Sequence, residues 1–243
     1  HAPHPFAETA SRIRPKTSRR RTCALIVGLA LTTAGAAIAA PGEPDLTFGP
    51  GLVLTPVAPN GSAIANSVAT DGSRLVVGGA CNRMFITANR DPVFCVSRHL
   101  ANGQLDPSFG TSGVVFTSIG STDADAGIHA VAVQSDRKIV ATGFCYSTAT
   151  GVDVLCAARY NIDGSLDSSF ANGGRWISSI ELIDSSIALQ NDGKIVVGGS
   201  CVLGTPRRTE FCAARLLSSG SLDTGFGNNG IVTTSIGVAD ALA

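Results

Sequence analysis

Six cysteines beyond the first forty residues recur in three pairs: Cys81 with Cys95, Cys145 with Cys156, and Cys201 with Cys212. In each pair the first cysteine is expected to end one strand and the second to open the next. Antiparallel neighbouring strands bring facing residues within disulfide distance. Zinc binding is the alternative, but thirteen or ten intervening residues, with no histidine at matching positions, do not resemble a zinc ligand set. We therefore predict three disulfide bonds, one in each repeat unit.

Arginine, aspartate and phenylalanine recur with the cysteines at fixed spacing. An arginine follows the second cysteine of each pair by three residues, and an aspartate follows that arginine by eight. A buried guanidinium needs a partner, so each arginine is predicted to bond its aspartate or a turn carbonyl. The alternative is an anion site in a central channel. The phenylalanines are expected to fill the core between units. The residues are Arg98, Arg159 and Arg215; Asp106, Asp167 and Asp223; and Phe109, Phe170 and Phe226.

Few other residues offer catalytic or metal-binding chemistry. His99 and His129 lie in non-equivalent places and are predicted to be surface or structural histidines. Asp123-x-Asp125-x-Gly127 lacks the third ligand and the distal glutamate of a calcium loop, which favours a solvated turn. The sequence contains neither a Gly-x-Ser-x-Gly elbow nor a glycine-rich phosphate loop. We predict no catalytic residue, no metal site and no cofactor.

The elements that position these residues follow from an internal repeat. The phrase Leu-Asp-Pro-Ser-Phe-Gly at 105–110 returns at 166–171 and 222–227, and a shorter copy lies at 45–49. A near-constant interval, 61 and then 56 residues between the phrase aspartates, indicates stacked like units.

Each unit contains four short runs rich in Val, Ile and Ala, bounded by turn residues, and nothing after residue 41 has a helical period. Glycines at the end of the third run are expected where backbones approach closely or a strand bulges. They are Gly78, Gly79, Gly143, Gly198 and Gly199. The predicted fold is all-β, a propeller-like array of four-stranded blades, with a β-solenoid as the alternative.

Three segments carry a family resemblance: Asp-Gly-Lys-Ile-Val-Val-Gly-Gly at 192–199, Ala-Ala-Arg-Tyr-Asn at 157–161 and Asp-Gly-Ser-Leu-Asp-Ser-Ser-Phe at 163–170. Together they resemble the bacterial delta-60 repeat family, a propeller-type repeat of secreted proteins. The resemblance covers residues 44–243. It implies a propeller fold and a surface location, and it brings no established reaction and no catalytic residues.

The period also predicts the domain organisation. Residues 1–40 form a basic region and signal peptide, and 41–243 form the repeat domain. Its units span about 45–105, 106–166 and 167–222, with a partial unit at 223–243. About three blades plus one extra strand are expected, as an open fragment of a larger propeller in which 231–235 begins a fourth blade. The alternative is that this strand closes the array onto its other end.

The amino terminus reads as a targeting segment. Residues 11–21 hold six basic and no acidic side chains, and an uncharged run from 22 to 40 ends near Ala37, Ala39 and Ala40. This is the pattern of a cleaved signal peptide, and a membrane anchor is the alternative. We expect export by the Sec or twin-arginine route to a secreted, periplasmic or cell-surface location, with no membrane span after cleavage.

The charge balance of the chain argues against nucleic acid as a partner. The chain has 18 basic and 18 acidic residues, but six of the basic ones lie in 11–21, so the remainder is mildly acidic and suggests no nucleic-acid partner. We expect a non-catalytic scaffold or binding module for an unknown protein or glycan, which self-associates through open blade faces. The alternative is a propeller enzyme, a quinoprotein-like dehydrogenase or a lyase, with its site on the central axis. A single tryptophan, Trp176, argues against the quinoprotein.

Overall fold

The computed structural model describes residues 43–44, 46–48, 62–82, 92–120, 125–204 and 207–235, with residue 182 described by its backbone alone. The signal-peptide prediction, the phrase residues 45 and 49, and Asp123 lie outside the described residues. The strands are β1 (Ala63–Asp71), β2 (Arg74–Asn82), β3 (Pro92–His99), β4 (Val114–Thr117), β5 (Ala126–Val133), β6 (Ile139–Ser147), β7 (Val152–Tyr160), β8 (Arg175–Leu189), β9 (Ile195–Leu203), β10 (Arg208–Leu216) and β11 (Ile231–Thr234). Over these ranges the chain contains no helix, and so none that could cross a membrane.

These strands form three antiparallel sheets of four strands each. Sheet one contains β1 to β4 in chain order. Sheet two contains β5, β6, β7 and the first part of β8, which pairs with β7 up to Glu181. Sheet three begins with the second part of β8, which pairs with β9 from Leu182, and continues through β10 and β11. The predicted all-β, propeller-type array is therefore confirmed.

The boundaries of the sheets do not coincide with the boundaries of the repeat units that the phrase defines. Each phrase precedes the fourth strand of a sheet that began before it, because the chain turns back and pairs with the strand it has just left. Thus β4 pairs with β3, and the amide of Arg98 bonds the carbonyl of Gly113 at 2.9 Å. Likewise β11 pairs with β10 and completes sheet three. The expectation that 231–235 begins a fourth blade is wrong, since three complete sheets account for all the described strands.

Glycine allows the first two strands of each sheet to approach closely. A Cβ on Gly79, Gly143 or Gly199 would lie 1.7, 1.9 or 2.0 Å from a backbone oxygen of the first strand. Next to these glycines the first strand is irregular in register in all three sheets. This is the bulge with close approach that the glycine pattern predicts.

The three disulfides each join two neighbouring strands of one sheet. Cys81 faces Val93 and Cys95 faces Gly79, so the bonded cysteines are diagonal rather than directly opposite. Their Cα atoms are 5.6 Å apart, and those of the other two pairs are 5.9 and 5.8 Å apart. Each bond therefore ties the second strand of a sheet to the third.

The core lies between sheets. We call the side of a sheet that faces the next sheet along the chain its following face, and the opposite side its preceding face. Phe94 and Val96 on the following face of sheet one pack with Ile128 and Val131 on the preceding face of sheet two. The second core has the same construction between sheets two and three. It contains Val140, Leu155, Phe170, Ile195, Val197 and Leu216.

Candidate functional site

The repeated arginine and aspartate meet in a turn after the third strand of each sheet, which we call the Arg–Asp turn. In the first copy, Arg98 Nε donates to Asp106 Oδ2 at 2.9 Å and Nη2 donates to Ser108 Oγ at 3.1 Å. The guanidinium lies 4.7 Å from the ring centre of Phe109. Asp106 Oδ1 accepts from the amide and the hydroxyl of Ser108 at 3.0 and 2.6 Å. Both charged side chains are buried.

The second turn repeats this arrangement, and the third repeats only part of it. Arg159 donates to Asp167 at 2.7 Å and to Ser169 at 3.4 Å. Arg215 donates to Asp223 at 2.8 Å, but Gly225 replaces the serine and the arginine side chain is 21% exposed. The rings of Phe170 and Phe226 lie 4.6 and 4.4 Å from the guanidinium carbons.

Each of the first two arginines also reaches the next sheet. Arg98 Nη1 donates to the carbonyl of Ile162, and Arg159 Nη1 donates to the carbonyl of Ser218. A backbone bond accompanies each link: Gly110 donates to the Asp163 carbonyl and Ala171 to the Ser219 carbonyl, both at 2.7 Å. The guanidinium groups therefore join successive sheets, and in the first two turns each guanidinium nitrogen has a partner.

A second basic residue faces each aspartate. Arg74 Nε is 3.4 Å from Asp106, Lys138 Nζ is 2.9 Å from Asp167, and Lys194 Nζ is 3.4 Å from Asp223. This second partner was not predicted from the sequence. The signal is present, because a basic residue directly precedes the apolar run of the second strand in every unit.

These contacts set the ionisation of the aspartates. Burial alone raises the pKa of Asp106, but the hydroxyl and amide of Ser108 and the charge of Arg98 outweigh it, so that the pKa is below its ordinary value. The same balance, with Ser169 and Lys138 as the main donors, holds the pKa of Asp167 far below that value. Both carboxylates are therefore charged at neutral pH, so neither can act as a general acid there.

A cavity of about 680 Å³ lies between the segment that follows β4 in sheet one and the start of β8 in sheet two. The chain's single tryptophan, Trp176, lines it half-buried. Arg175, which also lines it, donates through Nε to the carbonyl of Ser118 at 3.1 Å. The remaining lining residues are Gly120, Ala171, Asn172, Gly173 and Ile177. From the sequence, Trp176 entered only the argument about enzyme class, because the equivalent positions of the other two units hold Val115 and Val232.

A second cavity, of about 520 Å³, lies between the first turns of sheets one and two. Its main charged groups neutralise one another: Asp71 accepts from Arg137 Nε and Nη2 at 2.8 and 2.9 Å. The hydrogen bond from Arg137 is the main reason that the pKa of Asp71 is lowered. Gln134 Oε1, also in this region, is buried and has no partner among the described residues. Arg74 also lines this cavity, with Nη1 3.7 Å from Asp71 Oδ2, so the lining holds two guanidinium groups and one carboxylate.

The two histidines have different surroundings. His99 is buried, with Ser97 Oγ and the Gly103 carbonyl each 3.1 Å from a ring nitrogen. His129 Nδ1 lies 3.5 Å from Ser185 Oγ across the contact between β5 and β8. Burial lowers the pKa of His129, against the opposing charge of Asp184. No group of three or more His, Cys, Asp or Glu that could hold a metal ion occurs in the described part of the chain.

The geometry and one comparison define the class of protein. The model of a domain of unknown function, DUF5122, described as a beta-propeller, matches residues 134–170 and 190–226. Each match runs from the first turn of a sheet through the end of its Arg–Asp turn. A search of curated proteins finds no match. The chain is thus an all-β protein of the β-propeller type, and over those two segments it is similar to a family whose function is unknown.

Proposed function

We propose that this chain is an exported, non-catalytic binding module of the delta-60 repeat type, and that it binds carbohydrate in the cavity lined by Trp176. The observation that carries the proposal is the half-buried indole beside polar groups in a cavity of about 680 Å³. Binding sites of this kind combine an apolar wall with a few placed polar groups. The apolar face of a sugar ring packs on an indole, while Arg175, Asn172 and Ser118 offer hydrogen bonds to its hydroxyls.

The repeated polar residues support a scaffold role by contrast. Arg98 and Arg159 each donate hydrogen bonds to an aspartate, a serine and a carbonyl of the next sheet. A side chain engaged in this way stabilises the fold and is unavailable to a ligand. Ligand-binding groups are therefore expected among the side chains that differ between units. Trp176 is one of them, since valine occupies the equivalent positions 115 and 232.

Export is supported by the disulfides and by the leader sequence. All six cysteines beyond residue 40 are paired in three bonds. Disulfides of this density persist in oxidising compartments and are rare where thiols are kept reduced. Together with the basic and apolar pattern of residues 11–40, this supports secretion or a periplasmic or cell-surface location.

The test uses the tryptophan itself as the probe. Because Trp176 is the chain's only tryptophan, emission excited selectively from tryptophan reports on this one side chain, which lines the cavity and packs against the second core. Titration with soluble gluco-, manno-, xylo-, chito- and uronic-acid oligosaccharides should shift and saturate the emission for one class. Trp176→Ala should abolish binding of that class by calorimetry, whereas Tyr146→Ala, an exposed aromatic outside the cavity, should leave it unchanged. Folded protein that binds no class at millimolar sugar would contradict the proposal.

A second candidate, a polysaccharide lyase, is favoured by His129. Its lowered pKa keeps the imidazole neutral at neutral pH, as a general base requires, and Ser185 and Asp184 are near it. A lyase removes the proton next to the carboxylate of a uronic acid, and the neighbouring glycosidic C–O bond breaks as a carbon–carbon double bond forms. The departing sugar oxygen takes up a proton from solvent. Assays for ultraviolet-absorbing product on uronate polysaccharides, with His129→Ala as the control, separate the two functions. Turnover that depends on His129 would favour the enzyme.

A further inference from the structure

Sheets one and three each have one face that no described strand covers. The residue before the second cysteine lies on the following face of every sheet: Phe94 and Leu155 are 0% and 2% exposed, but Phe211 is 58% exposed. On the preceding face, Val131 of sheet two is 6% exposed, while Val68, at the same register position in sheet one, is 63% exposed. The two uncovered faces are thus the two halves of the interface that the chain uses twice internally.

The hydrogen bonds between sheets stop at the same two places. Arg215 and Gly227 are equivalent to the donors of the first two turns, but within the described residues no carbonyl accepts from Arg215 Nη1 or from the Gly227 amide. The equivalent acceptors in sheet one are the carbonyls of Ala101 and Asn102. Both residues are exposed, and among the described groups no donor reaches these carbonyls. Sheet three therefore offers the donors, and sheet one the acceptors, of a third interface.

We propose that the following face of sheet three docks on the preceding face of sheet one of a second copy of this chain. The preceding face of sheet one of the first copy receives the following face of sheet three of the second copy, so that the two copies make the same contact twice. Its pattern is the one between sheets one and two and between sheets two and three: an Arg–Asp turn against a glycine turn, and the following face against the preceding face. Arg215 would donate to the partner's Ala101, and Phe226 would pack on the partner's Gly103.

Symmetry allows such a contact to close. A contact between two different surfaces closes into a ring when the rotation that relates neighbouring copies divides a full turn. The three described sheets of two copies make six sheets. Six blades lie within the range of closed propellers, which have typically four to eight. The apolar area that the end sheets leave in water supplies the driving force.

Gly198 provides a variant that separates docking from folding. It lies on the following face of sheet three, and a Cβ there would meet nothing nearer than the carbonyl oxygen of Cys212 at 3.8 Å. At the equivalent Gly78, a Cβ would lie 2.3 Å from Val131 Cγ1 of the next sheet. A large side chain at 198 is therefore accommodated by a single chain but collides with Val68 of the docked copy.

The first experiment is sedimentation velocity on the exported full chain over a hundredfold concentration range. The wild type should form a dimer and nothing larger. Gly198→Trp should be a monomer, and its free energy of unfolding should equal that of wild type diluted until it too is monomeric. Ser179→Trp adds the same bulk at an exposed position of sheet two and should still dimerise. A wild-type monomer would overturn the proposal and would leave the two faces to a different partner. A ladder of higher oligomers would overturn the closed two-copy ring.

The second experiment fixes the geometry of the interface. In the double variant Val68→Cys, Gly198→Cys, the new cysteines should crosslink only between copies, because within one chain they lie on sheets one and three, on faces turned away from sheet two. A closed ring gives a covalent dimer with two crosslinks on a non-reducing gel. Ser179→Cys with Val68→Cys is the mismatched control and should give none. Dimers that crosslink equally in both variants would overturn the assigned faces even if the chain dimerises.

Discussion

At the scale of single residues, the Arg–Asp turn shows how one side chain can serve two sheets. Arg98 uses Nε for its own aspartate, Nη2 for a serine and Nη1 for a carbonyl 64 residues further along. A buried guanidinium is costly unless its donors are used, and here each nitrogen has a partner. The arginine therefore supports the sheet-to-sheet contact as well as its own turn.

Substitution of two equivalent arginines, one buried and one partly exposed, measures how much burial of the ion pair contributes to the free energy of unfolding. Arg159→Met leaves Asp167 buried with only Lys138 as a cationic partner, so we expect a loss of about 3 kcal/mol in the free energy of unfolding. Arg215→Met removes a partly exposed pair and should cost clearly less than Arg159→Met. Urea unfolding of dilute protein measures both. Equal losses would show that the burial difference between the turns has no energetic consequence.

The aspartates of these turns also predict the response to acid. The pKa of Asp167 is lowered in the folded chain, so its contribution is complete above its unfolded pKa, near 3.9, and is lost as the pH falls toward the folded value. The wild type should therefore lose stability from about pH 5 downward. Asp167→Asn should be less stable at neutral pH but lose less between about pH 6 and pH 3, as measured by urea midpoints. Parallel pH curves for the two proteins would contradict this.

Sequence reasoning identified most of these residues but not all of their partners. Spacing alone singled out Arg159 and Asp167, since residues eight apart across a glycine turn can meet. It could not find Ser218, whose carbonyl belongs to the next sheet, because a single period does not state how neighbouring units are rotated relative to each other. Trp176 was missed for another reason: it does not recur, and the repeat draws attention only to what does.

At the scale of elements, the repeat interval could not show which strand begins each sheet and which ends it. The interval of a repeat is the same whichever residue is taken as the start of a unit, and the phrase at 105–110 was taken as that start because it is the most similar segment. The structure places that phrase inside a hairpin between β3 and β4. The fifteen-residue strand β8 serves two sheets without a turn between them, and its run contains no glycine or proline to mark the boundary.

Two adjacent glycines of β9 test the close approach of the first strand. A Cβ at Gly199 would lie 2.0 Å from the backbone oxygen of Asp184, so Gly199→Ala must move one strand away from the other. We expect it to lower the free energy of unfolding by about 1–3 kcal/mol. Gly198→Ala has open space and should lie within about 0.5 kcal/mol of wild type in the same dilute urea experiment. If both substitutions were tolerated, the bulge would not depend on glycine.

At the scale of the whole molecule, the three sheets differ in how they are covered although their sequences are alike. Sheet two packs against a neighbour on both faces, and its strands β6 and β7 are largely buried. Strand β1 of sheet one and strand β10 of sheet three are mostly exposed or half-buried. In a stack of like units, stability depends on the number of interfaces each unit makes, so the middle unit is the most stable.

Amide hydrogen exchange should show this gradient directly. In the monomeric Gly198→Trp variant, amides of β6 and β7 should exchange only through global unfolding, while those of β1 and β10 should exchange through local opening at lower free energy. Mass spectrometry of peptides from 63–71, 139–147 and 208–216 resolves the three sheets. In the wild type, docking of a second copy covers the end sheets, and the protection of β1 and β10 should rise toward that of the middle sheet. Protection that is already uniform in the monomer would mean that the sheets unfold as one cooperative unit, and that the uncovered faces are not a source of local instability.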